Sequence, residues 1–188
     1  MGFCDKFKVK RVICDEIFYV SHIEEDVVIG DVEIPDDGVI NGEVTVTVLD
    51  CNPVLVTNEQ GEITDIQAEI VVMIQKELTI TGTDEQGQSV ELPLEFAERQ
   101  LFTLDFRKCD PAVLNDIDPD LLNDLECQVI WVNGMDDITL DQDAGTFDEE
   151  LTIIVKLKLV QERQLHLALC PAKNQFEIDV TSEINGNG

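Results

Sequence analysis

Positive charge is what this sequence has least of. Its 188 residues include 12 Lys and Arg against 40 Asp and Glu, a net charge of −28. Phosphate binding needs clustered Lys and Arg, so nucleic acid is excluded as a natural partner. The same imbalance opposes docking on an anionic membrane surface. Aromatics are scarce as well, with eight Phe, one Tyr and one Trp. Histidine is limited to His22 and His166, and no CxxC occurs among cysteines 4, 14, 51, 109, 127 and 170. These spacings match no zinc template. There is no GxSxG elbow, no HExxH and no P-loop. His166, in "QLHLAL", falls on an alternating polar face and reads as a surface imidazole. The expectation is a protein without catalytic residues. No apolar run approaches the roughly 18 residues of a membrane span. Lys6 to Arg11 are followed by "RVICDEIFYV", which Asp15 and Glu16 interrupt, so no secretory signal is expected and synthesis in a cytosol is.

What is present is apolar and β-forming. Apolar residues make up 44% of the chain, enough for a core, and Val, Ile and Thr abound. Period-2 alternation runs through "KFKVKRV", "DVVIGDVEI", "GEVTVTVLDC", "SVELPLEF", "QLFTLDFRKC", "CQVIWVN", "DEELTIIVKLKLV" and "RQLHLALC". "AEIVVMIQKELTITG" is more continuously apolar and suits a strand buried on both faces, or a bent one. Turn signals such as "IPDDGVING", "NEQGE" and "DQDAGTF" separate about nine or ten strands. Only residues 110–126 look helical, and Pro119 splits them into two short turns. The fold expected is all-β and antiparallel, a sandwich or jelly-roll-like arrangement with an N-terminal arm. Its divisions are an arm at 1–16, a β domain at 17–180 and a flexible tail at 181–188. Two smaller subdomains split near 107–127 are the alternative.

Two features carry most of the functional reading. Lys6, Lys8, Lys10 and Arg11 cluster between Cys4 and Cys14, and fifteen acids separate Arg11 from the next base, Lys76. Such a strand either folds back as an edge of its own domain or docks on a neighbouring copy by β-augmentation. A docked arm makes a heterologous contact that grows into a filament or layer. Pro53, Pro111 and Pro171 follow Cys51, Cys109 and Cys170 closely, which places these cysteines at strand ends near a sheet rim. Cys4 and Cys14 would then meet Cys51, Cys109 or Cys170 of a neighbour. The other reading is six reduced thiols, several of them buried. For cations, "DQDAGTFDEE" offers Asp141, Asp143 and Asp148 as calcium ligands. The EF-hand template fails there, because position six is Thr146 and position twelve Thr152. The expectation is no dedicated metal and no cofactor, with Ca2+ the one ion to consider.

The runs "EIVVMIQKELTIT…VELPLEFAERQLFTLDF", "LECQVIWV" and "LTIIVKLKLVQERQLHL" resemble the SPOCS-type β domain of spore-coat and spore-morphogenesis proteins. The resemblance covers about residues 40–169 and brings no catalytic residues with it. It implies a mother-cell product deposited on a bacterial endospore without secretion, with its cysteines oxidised late. The functional expectation is a structural protein that polymerises with copies of itself, and possibly with other spore-surface proteins, by strand docking and cysteine cross-links. The rival expectations are a monomeric calcium- or ligand-binding β module and a scaffold for basic coat proteins.

Overall fold

The computed structural model describes residues 4–30, 32–109 and 125–168. The expected helical turns and the tail lie outside that set. All regular structure among the described residues is strand: β1 (Cys4–Val28), β2 (Val39–Thr57), β3 (Ile63–Thr83), β4 (Ser89–Asp105), β5 (Leu125–Asp141) and β6 (Thr146–Ala168). They form two antiparallel three-stranded sheets, ordered β1-β6-β5 and β2-β3-β4.

Strict alternation in the two central strands makes the sandwich. In β6, Leu151, Ile153, Val155, Leu157 and Leu159 are fully buried, while Thr152, Ile154, Lys156 and Lys158 point the other way. In β3, Ile66, Ala68, Ile70, Val72 and Ile74 are buried in the same manner. Only one periodicity satisfies both, the period of two in which successive side chains leave opposite faces. The two rows meet in one core that also takes Ile13 from β1, Val46 from β2 and Leu125 from β5. β1, β5 and β6 share a sheet, so the first strand and the last two build one layer around a common core.

The strands are fewer and longer than the sequence suggests. "SVELPLEF" and the start of "QLFTLDFRKC" fuse into β4, which ends at Asp105, and "DEELTIIVKLKLV" and residues 163–168 into β6. Pro53 and Pro93 do not end their strands, because β2 and β4 are edges where a missing N–H removes no ladder bond. Cys51 therefore sits inside β2 and not at a strand end. Of the described residues of "DVVIGDVEI", only Asp26, Val27 and Val28 are strand, as the end of β1. β1 stops at Val28, after Asp26 takes a positive φ of 54° and before Gly30 takes one of 107°. β3 is buried completely on one face only, with Val71 and Met73 half-buried on the other.

The N-terminal stretch expected as an arm is the first half of β1. Its backbone pairs with β6 of the same chain, from Cys4 opposite Ala168 to Arg11 opposite Gln161. β5 begins opposite Gln161, so among the described residues this part of the ladder is two-stranded.

Candidate functional site

Three places in the fold concentrate chemistry: a buried charge cluster, two cysteine pairs and the outer faces of the sheets. The cluster interrupts the core. Lys76 occupies the inward row of β3 between Ile74 and Leu78, and Glu149 the inward row of β6 between Phe147 and Leu151. The Lys76 ammonium contacts the carboxylates of Glu149 and Glu24, and lies 3.7 Å from Glu98. His22 Nε2 is 2.9 Å from Glu98 Oε1, and Gln100 donates to the other Glu98 oxygen at 2.8 Å. The cluster thus joins β1, β3, β4 and β6 and lies between the two apolar parts of the core.

One ammonium serves three carboxylates here, and the titration directions follow. Burial opposes charge on Lys76, but the hydrogen bonds and charges of Glu149 and Glu24 outweigh it and hold the ammonium above its ordinary value. Burial pushes the Glu149 carboxyl up, against the pull of Lys76 and with the added repulsion of Glu24. Burial also opposes charge on Glu98, yet hydrogen bonds from Gln100 and His22 and the nearby cations hold it below the ordinary range.

Among the described residues, His22, Glu24 and Glu98 are the one group of three metal-ligating side chains with atoms within 4.8 Å of one another. A divalent ion there would have to displace Lys76, which already supplies a cation to Glu24 and Glu98. The proposed calcium ligands do different work. Asp141 Oδ1 accepts the Ala144 N–H at 3.0 Å and so closes the β5–β6 turn. Asp148 Oδ1 accepts the Asp26 N–H at 2.9 Å, and Asp143 is exposed.

Four cysteines pair within the chain, as Cys14–Cys109 and Cys51–Cys127. Cys51–Cys127 crosses from one sheet to the other, and Cys14–Cys109 ties β1 to the segment that follows β4. Cys14 and Cys127 both lie opposite Leu159, on its two sides, so the bonds close the two open flanks of the sandwich at one level. The segment carrying Cys109 is fixed further. Glu16 Oε2 accepts the N–H groups of Arg107 and Lys108 at 2.9 and 3.0 Å. Phe106 donates its N–H to Ile66 O, and its ring meets Phe18 edge-on at 5.0 Å.

These pairings redirect the expected cross-links. Cys14, Cys51 and Cys109 bond inside the chain and not to a neighbour, and Cys127, outside the expected set, completes one pair. Cys170 lies outside the described residues, and for Cys4 only the backbone is described. Of the basic residues, Lys10 pairs with Glu126 of β5 at 2.5 Å. The basic-on-acidic docking expected between copies is made within one chain at this point, where no association entropy opposes it. Lys6 and Lys8 fall on the paired backbone of β1, opposite His166 and Gln164.

The outer faces differ. On β1-β6-β5, the chain's one Tyr and one Trp are both exposed: Tyr19 is 71% exposed and Trp131 40%. No family model, curated protein or solved structure matches this chain.

Proposed function

We propose that this chain is a non-enzymatic structural protein that assembles with copies of itself into a filament or surface layer. The observation that carries this reading is the outer face of β1-β6-β5. Tyr19, Ile23 and Met135 are 71%, 61% and 60% exposed there, beside Trp131 and Ile17. An apolar face of this kind marks an interaction surface, and it stands out on a chain with net charge −28. The two disulfides fit a structural role, because they tie both flanks of the sandwich together. They also point to a final location that is oxidising. The surface of a bacterial endospore, which the SPOCS-type resemblance implies, is the site we propose. Cys4 and Cys170 are the cysteines proposed to link one copy to the next.

The test is negative-stain electron microscopy of the purified protein over a concentration series, with and without reductant. Fibres or sheets are expected without reductant. Single particles of one 21.1 kDa chain under all conditions would overturn the reading.

A further inference from the structure

We infer that successive copies stack front to back, with the outer face of β1-β6-β5 seated on the outer face of β2-β3-β4 of the next copy. The inference rests on the self-association proposed above and names its contact. Two unlike faces on one molecule are its basis.

The front face carries two lysines among its exposed apolar side chains. At its centre Lys156 and Lys158 share one carboxylate, Asp15, at 3.2 and 3.4 Å, which leaves a local excess of one positive charge. Register places the apolar side chains directly beside them. Trp131 lies opposite Lys156, Tyr19 opposite Ile154, and Met135 opposite Thr152.

The back face has the opposite character. Glu77 of β3 lies opposite Glu43 of β2 and also opposite Glu95 of β4, so three glutamates stand abreast across the sheet. Directly opposed side chains in a sheet are about 5 Å apart, and like charges so placed destabilise it. Among the described residues no basic side chain pairs with any of the three. Further along the same face are Val71, Met73 and Leu101, the last 62% exposed and opposite Val71.

The two faces match in layout as well as in sign. On the front, Lys158 and the Met135 level are separated by six residues of β6; on the back, Glu77 and Val71 are separated by six residues of β3. Six residues of strand span about 20 Å. Charge at one end and apolar surface at the other can therefore register together. The seated lysines supply the counter-charge that the glutamate row lacks; with Lys158 over Glu77, Tyr19 falls at the level of Met73 and Met135 at the level of Val71 and Leu101. The contact joins different surfaces, so it is heterologous and repeats without closing.

The test uses two variants of the full chain and their mixture. Tyr19→Glu with Lys156→Glu disables the front, and Glu77→Lys with Leu101→Lys disables the back. All four positions are on outer faces, and far-UV circular dichroism checks that each variant is folded. Sedimentation velocity is run at 0.15 M salt, where the Debye length is about 8 Å and long-range repulsion is screened. Each folded variant alone is expected to sediment as a monomer. The equimolar mixture is expected to form a dimer and stop there, because one intact front meets one intact back. If the back variant still assembles alone while the front variant does not, copies meet front to front and the inference is wrong. If both variants assemble like the parent, neither face is the contact and the inference is wrong, although self-association stands. If the parent itself never assembles, the proposed function fails first.

Discussion

Replacing Lys76 by methionine isolates the buried charge cluster. The lysine side chain is 3% exposed and that of Glu149 is not exposed at all. Lys76→Met keeps the volume of the side chain and removes the one cation that faces Glu149, Glu24 and Glu98. The Glu149 carboxylate would remain in the core with Glu24 close by. Breaking a buried ion pair in this way costs about 3–5 kcal/mol, because an uncompensated charge is left behind. For a chain of this size each kcal/mol lowers Tm by about 2–4 °C, so a fall of roughly 10 °C is expected. Removing both partners, in Lys76→Met with Glu149→Leu, is expected to recover most of the loss, since two apolar residues then continue the inward rows of β3 and β6. Urea unfolding of wild type, single and double variants at pH 7 measures all three. A loss below about 1 kcal/mol for Lys76→Met would refute the argument. So would a double variant no more stable than the single one.

Other expectations test other parts of the fold. The Glu98 carboxyl is held below its ordinary value of 4.5, so its contribution to stability is present above that pH and is lost as pH falls. Glu98→Gln should therefore lose less stability than wild type on acidification below pH 4.5, measured by urea midpoints across pH 3–6. The Cys14–Cys109 and Cys51–Cys127 bonds close separations of 95 and 76 residues. Loops of that length make each bond worth about 4 kcal/mol, so reductant should lower the urea midpoint sharply; an unchanged midpoint would count against the pairing. Gly42→Ala would place a Cβ 2.2 Å from the Glu77 carbonyl oxygen and 2.7 Å from Leu78 Cα. Forcing β2 from β3 should cost about 1–3 kcal/mol in thermal melts. Because the Lys76 ammonium already occupies the cation position between Glu24 and Glu98, added Ca2+ or a chelator should leave Tm unchanged.

The fold class was legible because alternation is a local signal. β6 shows it plainly, with Leu151 to Leu159 on one face and Thr152 to Lys158 on the other. Strand length was not legible. Pro53 reads as punctuation, and only pairing at a sheet edge makes it tolerable within a strand. The charge cluster was also hidden. Lys76 and Glu149 are two polar residues in apolar rows 73 positions apart, and nothing local says that the rows face each other. The one available signal was a lone base and a lone acid, each sitting at an inward parity position. Cysteine connectivity is likewise a property of the sandwich. Cys14 and Cys127 are brought to the same level by their shared neighbour Leu159, which the spacing of the cysteines does not encode. The basic leader was noticed from composition, but its backbone pairs with β6 of its own chain, 150 or more residues away. The aromatic pair on the front face needed the register of three strands to appear at all.

The most direct test of the account is the native mass of the oxidised Cys4→Ser/Cys170→Ser chain, by sedimentation equilibrium. This variant retains only the four cysteines that pair internally, so any particle must be held by folded surfaces. A mass of many times 21.1 kDa, running as one chain on a non-reducing denaturing gel, is the expected result. A mass of 21.1 kDa at every concentration would contradict it.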